Sequence, residues 1–278
     1  MASPELMTSR SARVRSARKL TRRASRMSER LFLAEGPQVV RAALAVTDSG
    51  EKRCAVEVFA TYDAEDRHRD LRAAADAGLV PWHAVEPEAL DGLTGTVSPQ
   101  GVVAVCRFVD VPLDDVIARQ PRLVVVCVEV RDPGNAGAVL RCADAAGADA
   151  VVLAGTSVDP YNGKAVRASV GSLFHLPIVL GSPADHVVAR LRAAGLTVLA
   201  ADADGDIDLD DAAAGHSLAL PTAWLFGNEA RGLDPTAAAL ADKVLRVPIY
   251  GQAESLNLAT AAAVCLYASA RAQRTASS

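Results

Sequence analysis

Blocks of apolar and polar residues alternate along the C-terminal half of the chain, and their spacing predicts paired strands and helices. The apolar run LVVVCVEV at residues 123–130 is typical of a strand that is buried on both faces of a parallel sheet. Further short apolar runs recur at residues 149–155, 177–181, 196–202, 223–227 and 243–249. In the segments between these runs, apolar residues are spaced as on one face of a helix. This repeated pairing predicts one doubly wound α/β sheet at 123–278.

The preceding segment predicts a smaller α/β unit at residues 31–109. A helical stripe begins near Glu35, the β-branched run at 54–60 predicts a strand, and the polar stretch at 62–79 predicts a helix that Gly78 caps. A strand at 101–109 ends the unit. Because strands and helices alternate here too, a parallel sheet is again expected.

A concentration of basic residues predicts an N-terminal arm, and a polar segment that contains prolines predicts a linker. Residues 1–30 hold nine basic and two acidic residues, a charge of +7, whereas the rest of the chain carries −11. Such an arm is drawn to a polyanion backbone, with a solvated tail as the alternative. The candidate phosphate contacts in the arm are Arg18, Arg22 and Arg23. The polar stretch at 110–122 is the expected linker between the two α/β segments.

Composition limits the class of protein. The chain has 278 residues, of which 50% are hydrophobic and 4% aromatic, and no apolar run reaches the roughly 18–20 residues of a membrane span. The five cysteines are scattered and lie mostly within apolar runs, as reduced core thiols do. Without a visible export signal, these features predict a cytoplasmic protein that does not contact membranes.

Three loops carry the candidate chemistry, because ligands of parallel sheets bind at the carboxyl ends of strands. In the loop at 130–141, Asn135 is placed to cap a helix, and Arg141 lies nearly two turns further on. Each residue has a plain structural alternative, an N-cap or a solvated arginine.

The other two loops follow the strands at 223–227 and 243–249. In the first, Gly227 allows close backbone approach, and Asn228 and Glu229 follow it; Glu229 taken alone is a residue that complements a helix dipole. In the second, Ser255 taken alone predicts the N-cap of the last helix, with Asn257 in its first turn.

Several common sites are absent from the sequence. There is no G-x-G-x-x-G fingerprint and no phosphate-binding loop with the required lysine and hydroxyl. The five histidines are isolated from each other and from any cysteine pair, so no metal site is expected. A G-x-S-x-G nucleophile turn is also missing.

In order and spacing, the three loops resemble the TrmH or SpoU branch of the SPOUT superfamily, RNA 2′-O-ribose methyltransferases. The resemblance lies in N-x-G-x-x-x-R from Asn135 to Arg141, in GNEARG at 227–232 and in VPIYGQAESLN at 247–257. The segments SPQGVVAV at 98–105 and KAVRASVGSLFHLP at 164–177 also look like family segments.

The resemblance implies a C-terminal α/β trefoil-knot methyltransferase domain, preceded by a small α/β/α RNA-binding domain. It implies S-adenosyl-L-methionine (AdoMet) as cofactor and a homodimer as the active form. The matching polar catalytic residues are Asn135, Arg141, Glu229, Ser255 and Asn257. The positions expected around the cofactor are Ala201, Phe226, Gly227, Asn228, Val247, Ile249 and Leu256. We add Lys164 and Arg167 as further candidate phosphate contacts, with solvated surface residues as the alternative.

The implied activity is methylation of a ribose 2′-hydroxyl, with 23S rRNA as the expected substrate. In this interpretation Arg141 holds a phosphate, the two asparagines fix the loop and the sugar, Ser255 orients either asparagine, and Glu229 accepts hydrogen bonds from Arg141 or nearby backbone. The alternatives left open are a tRNA substrate, a base methyltransferase of the same fold, a Rossmann-type methyltransferase and a non-catalytic RNA-binding paralogue.

Overall fold

The computed structural model describes residues 6–46 and 53–276. The chain forms two compact units, and one of them takes a short segment from the middle of the chain. The first unit contains Met1–Val109 and Asp159–His175, and the second contains Asp110–Val158 and Leu176–Ser278.

A four-stranded mixed sheet with helices around it forms the body of the first unit. Its elements up to residue 109 are α1 (Ala12–Lys19), α2 (Arg23–Glu29), β1 (Leu31–Glu35), α3 (Pro37–Ala45), β2 (Ala55–Ala60), α4 (Tyr62–Arg67), α5 (Arg69–Ala77), β3 (Trp82–Ala84), α6 (Pro87–Asp91) and β4 (Val102–Arg107). The strand order is β1-β4-β2-β3. Strand β4 runs antiparallel to β1 and β2, and only β2 and β3 are parallel.

The parallel sheet expected for this unit is therefore wrong. Strand β4 enters between β1 and β2 instead of extending the sheet beside β3, and it runs opposite to both neighbours. Strand β1 was not predicted either, because Leu33 was counted with the helical stripe that in fact begins at Pro37. The stretch at 62–79 forms two helices with a break at His68, where one helix was predicted.

The basic N-terminal segment is folded from residue 12 onward; residues 1–5 lie outside the described part. Val14, Ala17 and Leu20 are buried in a core cluster of the first unit. Arg26 is also buried, and its guanidinium donates to Asp159 at 2.6 and 3.0 Å. Because a buried charge is costly without a partner, this pair ties α2 to the segment that begins at Asp159.

The remaining elements continue along the chain from residue 110. They are α7 (Leu113–Ala118), β5 (Leu123–Val128), α8 (Pro133–Ala146), β6 (Ala150–Ala154), α9 (Gly163–Ser169), β7 (Ile178–Leu180), α10 (Ala184–Ala193), β8 (Thr197–Ala201), β9 (Ile207–Asp208), α11 (Leu209–Ala214), β10 (Thr222–Phe226), α12 (Pro235–Ala238), β11 (Lys243–Arg246) and α13 (Leu258–Ala276). Helix α9 belongs to the first unit and the others to the second.

The second unit confirms the predicted parallel α/β sheet. Its seven strands have the order β7-β6-β5-β10-β8-β11-β9, and every neighbouring pair is parallel. In the central register Phe226 pairs with Cys127 on one side and Ala201 on the other. The ends of β5, β8 and β10 therefore lie side by side at one edge of the sheet.

Local details of the second unit depart from the sequence predictions. The expected linker contains α7, whose Leu113 and Val116 are buried in the core of the second unit. The last helix begins at Leu258, and Asn257 accepts a hydrogen bond from the Ala259 N–H, so Ser255 is not its N-cap. The short β9 and α11 were not predicted. Among the described residues, no helix combines the length and hydropathy that a membrane crossing requires.

Candidate functional site

A cavity of about 630 Å³ opens at the edge of the second sheet where β8, β10 and β11 end. The loops that follow these strands form its walls, together with the start of α13. All seven positions expected around the cofactor line this cavity: Ala201, Phe226, Gly227, Asn228, Val247, Ile249 and Leu256. Two of the five predicted catalytic residues, Glu229 and Ser255, line it as well. The positions implied by the family resemblance therefore lie together around one cavity, whereas the candidate loop at 130–141 does not line it.

A chain of hydrogen bonds connects three of the predicted catalytic side chains. The Glu229 carboxylate accepts from the backbone N–H groups of Arg131 at 3.1 Å and Asp132 at 3.0 Å. It also accepts from the Asn135 side-chain amide at 3.3 Å. The Asn135 side-chain oxygen in turn accepts from the Asn257 amide at 3.0 Å. One network thus fixes the loop before α8, the loop after β10 and the loop before α13.

These contacts determine the protonation state of Glu229. Partial burial works to raise the pKa of Glu229, but hydrogen bonds from its own backbone N–H, from the N–H groups of Arg131 and Asp132, and from the Asn135 amide outweigh it. The pKa of Glu229 consequently lies below its ordinary value. Near neutral pH the group is a carboxylate that accepts hydrogen bonds and is a weak base.

Asn135 and Asn228 make contacts that differ from their predicted roles or add to them. Asp132 is the N-cap of α8 and accepts from the Asn135 N–H at 2.8 Å, so the predicted cap function of Asn135 is wrong. The Asn135 side chain therefore takes part in the hydrogen-bond network and does not cap the helix. Asn228 donates its amide to the Glu129 carbonyl at 3.0 Å and accepts from the Ala230 N–H at 3.0 Å. This second link also holds the loop after β10 against the end of β5.

Gly227 is required where β10 ends. A Cβ at this position would lie 2.2 Å from the carbonyl carbon of Gly232, because the chain turns back and pairs Asn228 with Gly232. The clashing atoms are backbone, so a side chain here cannot be accommodated without moving the turn. The turn forms one wall of the cavity.

The structure leaves two predicted catalytic residues outside the network. Arg141 is exposed on α8, and no hydrogen bond or ion pair of this residue occurs within residues 6–46 and 53–276. Glu229 accepts from backbone instead, which is the second of the two arrangements expected for it. Ser255 is exposed and, in the described part of the chain, makes no hydrogen bond to Asn135 or Asn257.

The candidate RNA contacts all belong to the first unit. Arg18, Arg22 and Arg23 are exposed, and so is Lys164. Arg167 differs from them, because its guanidinium donates to the buried carboxylate of Glu35 at 2.8 Å. A phosphate would have to compete with that ion pair.

Charged residues in the cavity wall were missed by the sequence analysis. Asp202, Asp204 and Glu254 line the cavity beside Arg231 and Arg246. Asp202 follows β8 directly, so the rule that ligands bind after parallel strands would have located it.

Burial raises the pKa of Cys127, near the end of β5, to about 12, and the Glu229 charge adds to this effect. This thiol is protonated and is not a nucleophile.

Models of two protein families match the chain. The SpoU rRNA Methylase family matches residues 122–267. The MRM3-like substrate binding domain matches residues 11–104. The first range holds the cavity and the hydrogen-bond network, and the second holds most of the first unit.

Individual relatives agree with the family models. The 23S rRNA (guanosine(2553)-2′-O)-methyltransferase RlmP of Bacillus subtilis is 32% identical over 95% of this chain and 98% of its own length. The 23S rRNA (uridine(2479)-2′-O)-methyltransferase of Streptomyces viridochromogenes is 39% identical over 63% of this chain and 61% of its own. The crystal structure of an AdoMet-bound rRNA methyltransferase from Sinorhizobium meliloti is 30% identical, with a TM-score of 0.80, and covers 96% of this chain and 97% of that one.

Proposed function

The chain belongs to the SpoU rRNA methylase family, and from this premise we propose that it transfers a methyl group from AdoMet to a ribose 2′-hydroxyl of 23S rRNA. The observation that carries the proposal is the Glu229–Asn135–Asn257 network beside a cavity built from three strand-end loops. Relatives named as 23S rRNA 2′-O-methyltransferases match over nearly the whole chain or over its larger part.

The cavity suits AdoMet in size and in the kind of groups it presents. Its volume of about 630 Å³ falls within the roughly 300–1,000 Å³ usual for sites of small molecules. Phe226, Val247 and Ile249 offer apolar surface, and the Gly227 turn brings backbone into the wall where a Cβ would not fit. Four carboxylates line the wall against two guanidiniums, those of Arg231 and Arg246, so its net charge is negative, which suits a cationic ligand. When bound, AdoMet supplies an activated methyl group.

The protein's own residues then have the task of placing the ribose hydroxyl in line with that methyl group. The side chains of Asn135 and Asn257 hold each other at 3.0 Å and so have fixed orientations toward the sugar. Glu229 keeps Asn135 in place and, being an engaged carboxylate with a lowered pKa, does not take the hydroxyl proton. Arg141 binds the adjacent phosphate and stabilises negative charge on the hydroxyl oxygen. A phosphate oxygen or water accepts the proton.

The test is transfer of a tritiated methyl group from AdoMet to 23S rRNA and, in parallel, to tRNA, followed by nuclease digestion. The proposal expects label in a 2′-O-methyl nucleoside from rRNA. Label in tRNA would assign a different substrate, label in a methylated base would assign a different acceptor atom, and no label would indicate a non-catalytic RNA-binding protein.

We also infer that the active form is a homodimer that places Arg141 at its interface. Val264 and Tyr267 are exposed apolar residues on α13, and Tyr267 donates to the Ala145 carbonyl of α8 at 3.3 Å. The exposed side of these two packed helices therefore presents apolar surface together with Arg141. Sedimentation should show a dimer, and mixing inactive Arg141→Ala protein with the weakly active Glu229→Gln protein should raise activity above the sum of the two variants. No such increase would mean that each chain carries a complete site.

Two finer features follow the family resemblance and stay proposals. One is a trefoil knot formed by the loops around the cavity and the segment that leads into α13, which tracing of an experimental electron-density map would test. The other is a cytoplasmic location, which follows from an rRNA substrate and which cell fractionation would test.

A further inference from the structure

A second cavity, of about 280 Å³, lies within the first unit, apart from the hydrogen-bond network; of the proposed phosphate contacts, Arg167 lines it. It is formed by the end of β1, the start of α3, the loop before β4 and helix α9. Most of this wall falls within the range matched by the MRM3-like substrate binding domain. Its size lies just below the roughly 300–1,000 Å³ seen for small-molecule sites, so it holds one small group and not a double helix.

An ion pair between half-buried Arg167 and the buried carboxylate of Glu35 fixes the shape of this cavity. The Glu35 carboxylate, 7% exposed, accepts from Arg167 at 2.8 Å and from the Gly95 N–H at 3.4 Å, and also from the Thr96 hydroxyl. These bonds attach the loop before β4 to the end of β1 and to α9. The cavity wall is thus built around fixed contacts and does not depend on a ligand to form it.

Three polar side chains on this wall have no hydrogen-bond partner within the described residues. They are Gln38, Ser98 and Gln100, and all three are exposed. The Gln100 side-chain oxygen lies 2.9 Å from the position of a Cβ on Gly36, whose φ of +97° also favours glycine. Each glutamine amide presents a donor and an acceptor, and the serine hydroxyl serves as either.

The charge of the cavity disfavours a phosphate. Arg167 is the one cationic side chain among the described residues that line it, and this guanidinium is already paired with Glu35. Apolar wall comes from Val39 and Val170, and Val97, in the same loop as Ser98, is fully exposed. Apolar faces combined with paired donors and acceptors are the complement of an unpaired nucleobase.

We propose that this cavity binds one unpaired base of the substrate RNA through Gln38, Ser98 and Gln100. The proposal rests on RNA being the substrate, as proposed above, and assigns the first unit a base-reading contact in addition to its exposed arginines. Base contacts carry sequence information, whereas phosphate contacts do not. The cavity therefore contributes to the choice of the RNA site.

The test measures binding of full-length 23S rRNA, transcribed in vitro, to the Gln38→Ala/Gln100→Ala double variant by filter retention at several salt concentrations. Loss of two base contacts should weaken binding by about 5- to 50-fold. The salt slope should stay unchanged, because base contacts release no counterions. Ser98→Ala should weaken binding by a smaller factor. Ser28→Ala, an exposed serine outside the cavity, is its control and should bind as the wild type does.

Two results would overturn the proposal. One is binding by the double variant within twofold of the wild-type value. The other is weaker binding with a salt slope reduced by about one or more, which would identify a phosphate contact. Unchanged thermal unfolding and AdoMet affinity exclude misfolding. Because binding is measured without methyl transfer, wild-type protein that binds rRNA but does not methylate it would refute the proposed function alone.

Discussion

Asn257 donates its side-chain amide to the side-chain oxygen of Asn135 at 3.0 Å, although 122 positions separate the two residues in sequence. Asn257 also caps α13 through the Ala259 N–H, and Asn135 lies in the first turn of α8. The pair therefore joins the starts of two helices that pack together. A hydrogen-bonded pair that is already oriented before substrate binds loses little entropy when the ribose arrives.

Replacing Arg141 with alanine tests the residue that stands apart from this network. Because Arg141 has no partner within the described residues and does not line the cofactor cavity, Arg141→Ala should leave AdoMet affinity and thermal stability unchanged. Methyl transfer should fall below detection in a single-turnover assay. Arg119→Ala, another exposed arginine of the second unit, is the control. Retained turnover would remove Arg141 from the mechanism.

Replacing Glu229 with glutamine tests the carboxylate that holds the network. Glutamine has one acceptor oxygen, so it cannot keep all the hydrogen bonds from Arg131, Asp132 and Asn135. We expect kcat to fall by about 10- to 100-fold at pH 7, the range for losing a hydrogen bond to a charged group. Glu88→Gln, at an exposed glutamate of the first unit, should have no effect. An unchanged kcat would show that the network is not needed for catalysis.

The pH dependence follows from the same contacts. Since the pKa of Glu229 is lowered in the folded protein, its stabilising contribution is fully present above the ordinary glutamate pKa. That contribution is lost only as the pH falls through the lowered value. The wild-type rate at saturating substrates should thus show no Glu229-dependent loss between pH 5 and pH 8, a range chosen to lie above about 4.3. A loss in that range that disappears in Glu229→Gln would contradict this assignment.

Adding one methyl group at Gly227 tests the cavity wall. The Cβ of Gly227→Ala would lie 2.2 Å from backbone of Gly232, so the turn must shift and the AdoMet affinity should drop by at least about tenfold. Gly251→Ala is the matched control, because nothing lies within 4 Å of its Cβ. Calorimetry with S-adenosylhomocysteine measures both. Equal affinities would mean that this turn does not shape the cofactor site.

Replacing exposed arginines near the N-terminus tests the electrostatic contact with RNA. Truncation of this segment is unsuitable, because Val14, Ala17 and Leu20 belong to the core and Arg26 is paired with Asp159. The triple variant Arg18→Gln/Arg22→Gln/Arg23→Gln should instead weaken rRNA binding and reduce the salt slope by up to about three. AdoMet affinity should not change. A wild-type slope would mean that these side chains do not contact phosphate.

Short-range patterns in the sequence were sufficient to predict the parallel sheet and two of the loops around the large cavity, those after β10 and β11; the loop after β8 entered only through the family resemblance, at Ala201. The run at 123–130 and the glycine after β10 are local signals, and both matched the structure. Pairing direction in the first unit depends on where β4 inserts, which no local pattern encodes. The Glu35–Arg167 pair joins residues 132 positions apart, so the second cavity could not be seen in sequence. The predicted cap at Asn135 was wrong because aspartate and asparagine both cap helices, and the packing of the whole unit selects Asp132.

Mapping of ribose methylation across 23S rRNA, from cells with and without this protein, tests the central claim most directly. Cells that lack the protein should lose a 2′-O-methyl group at one nucleotide of 23S rRNA, and wild-type protein, but not Arg141→Ala, should restore it. An identical methylation map in both kinds of cell would contradict the claim.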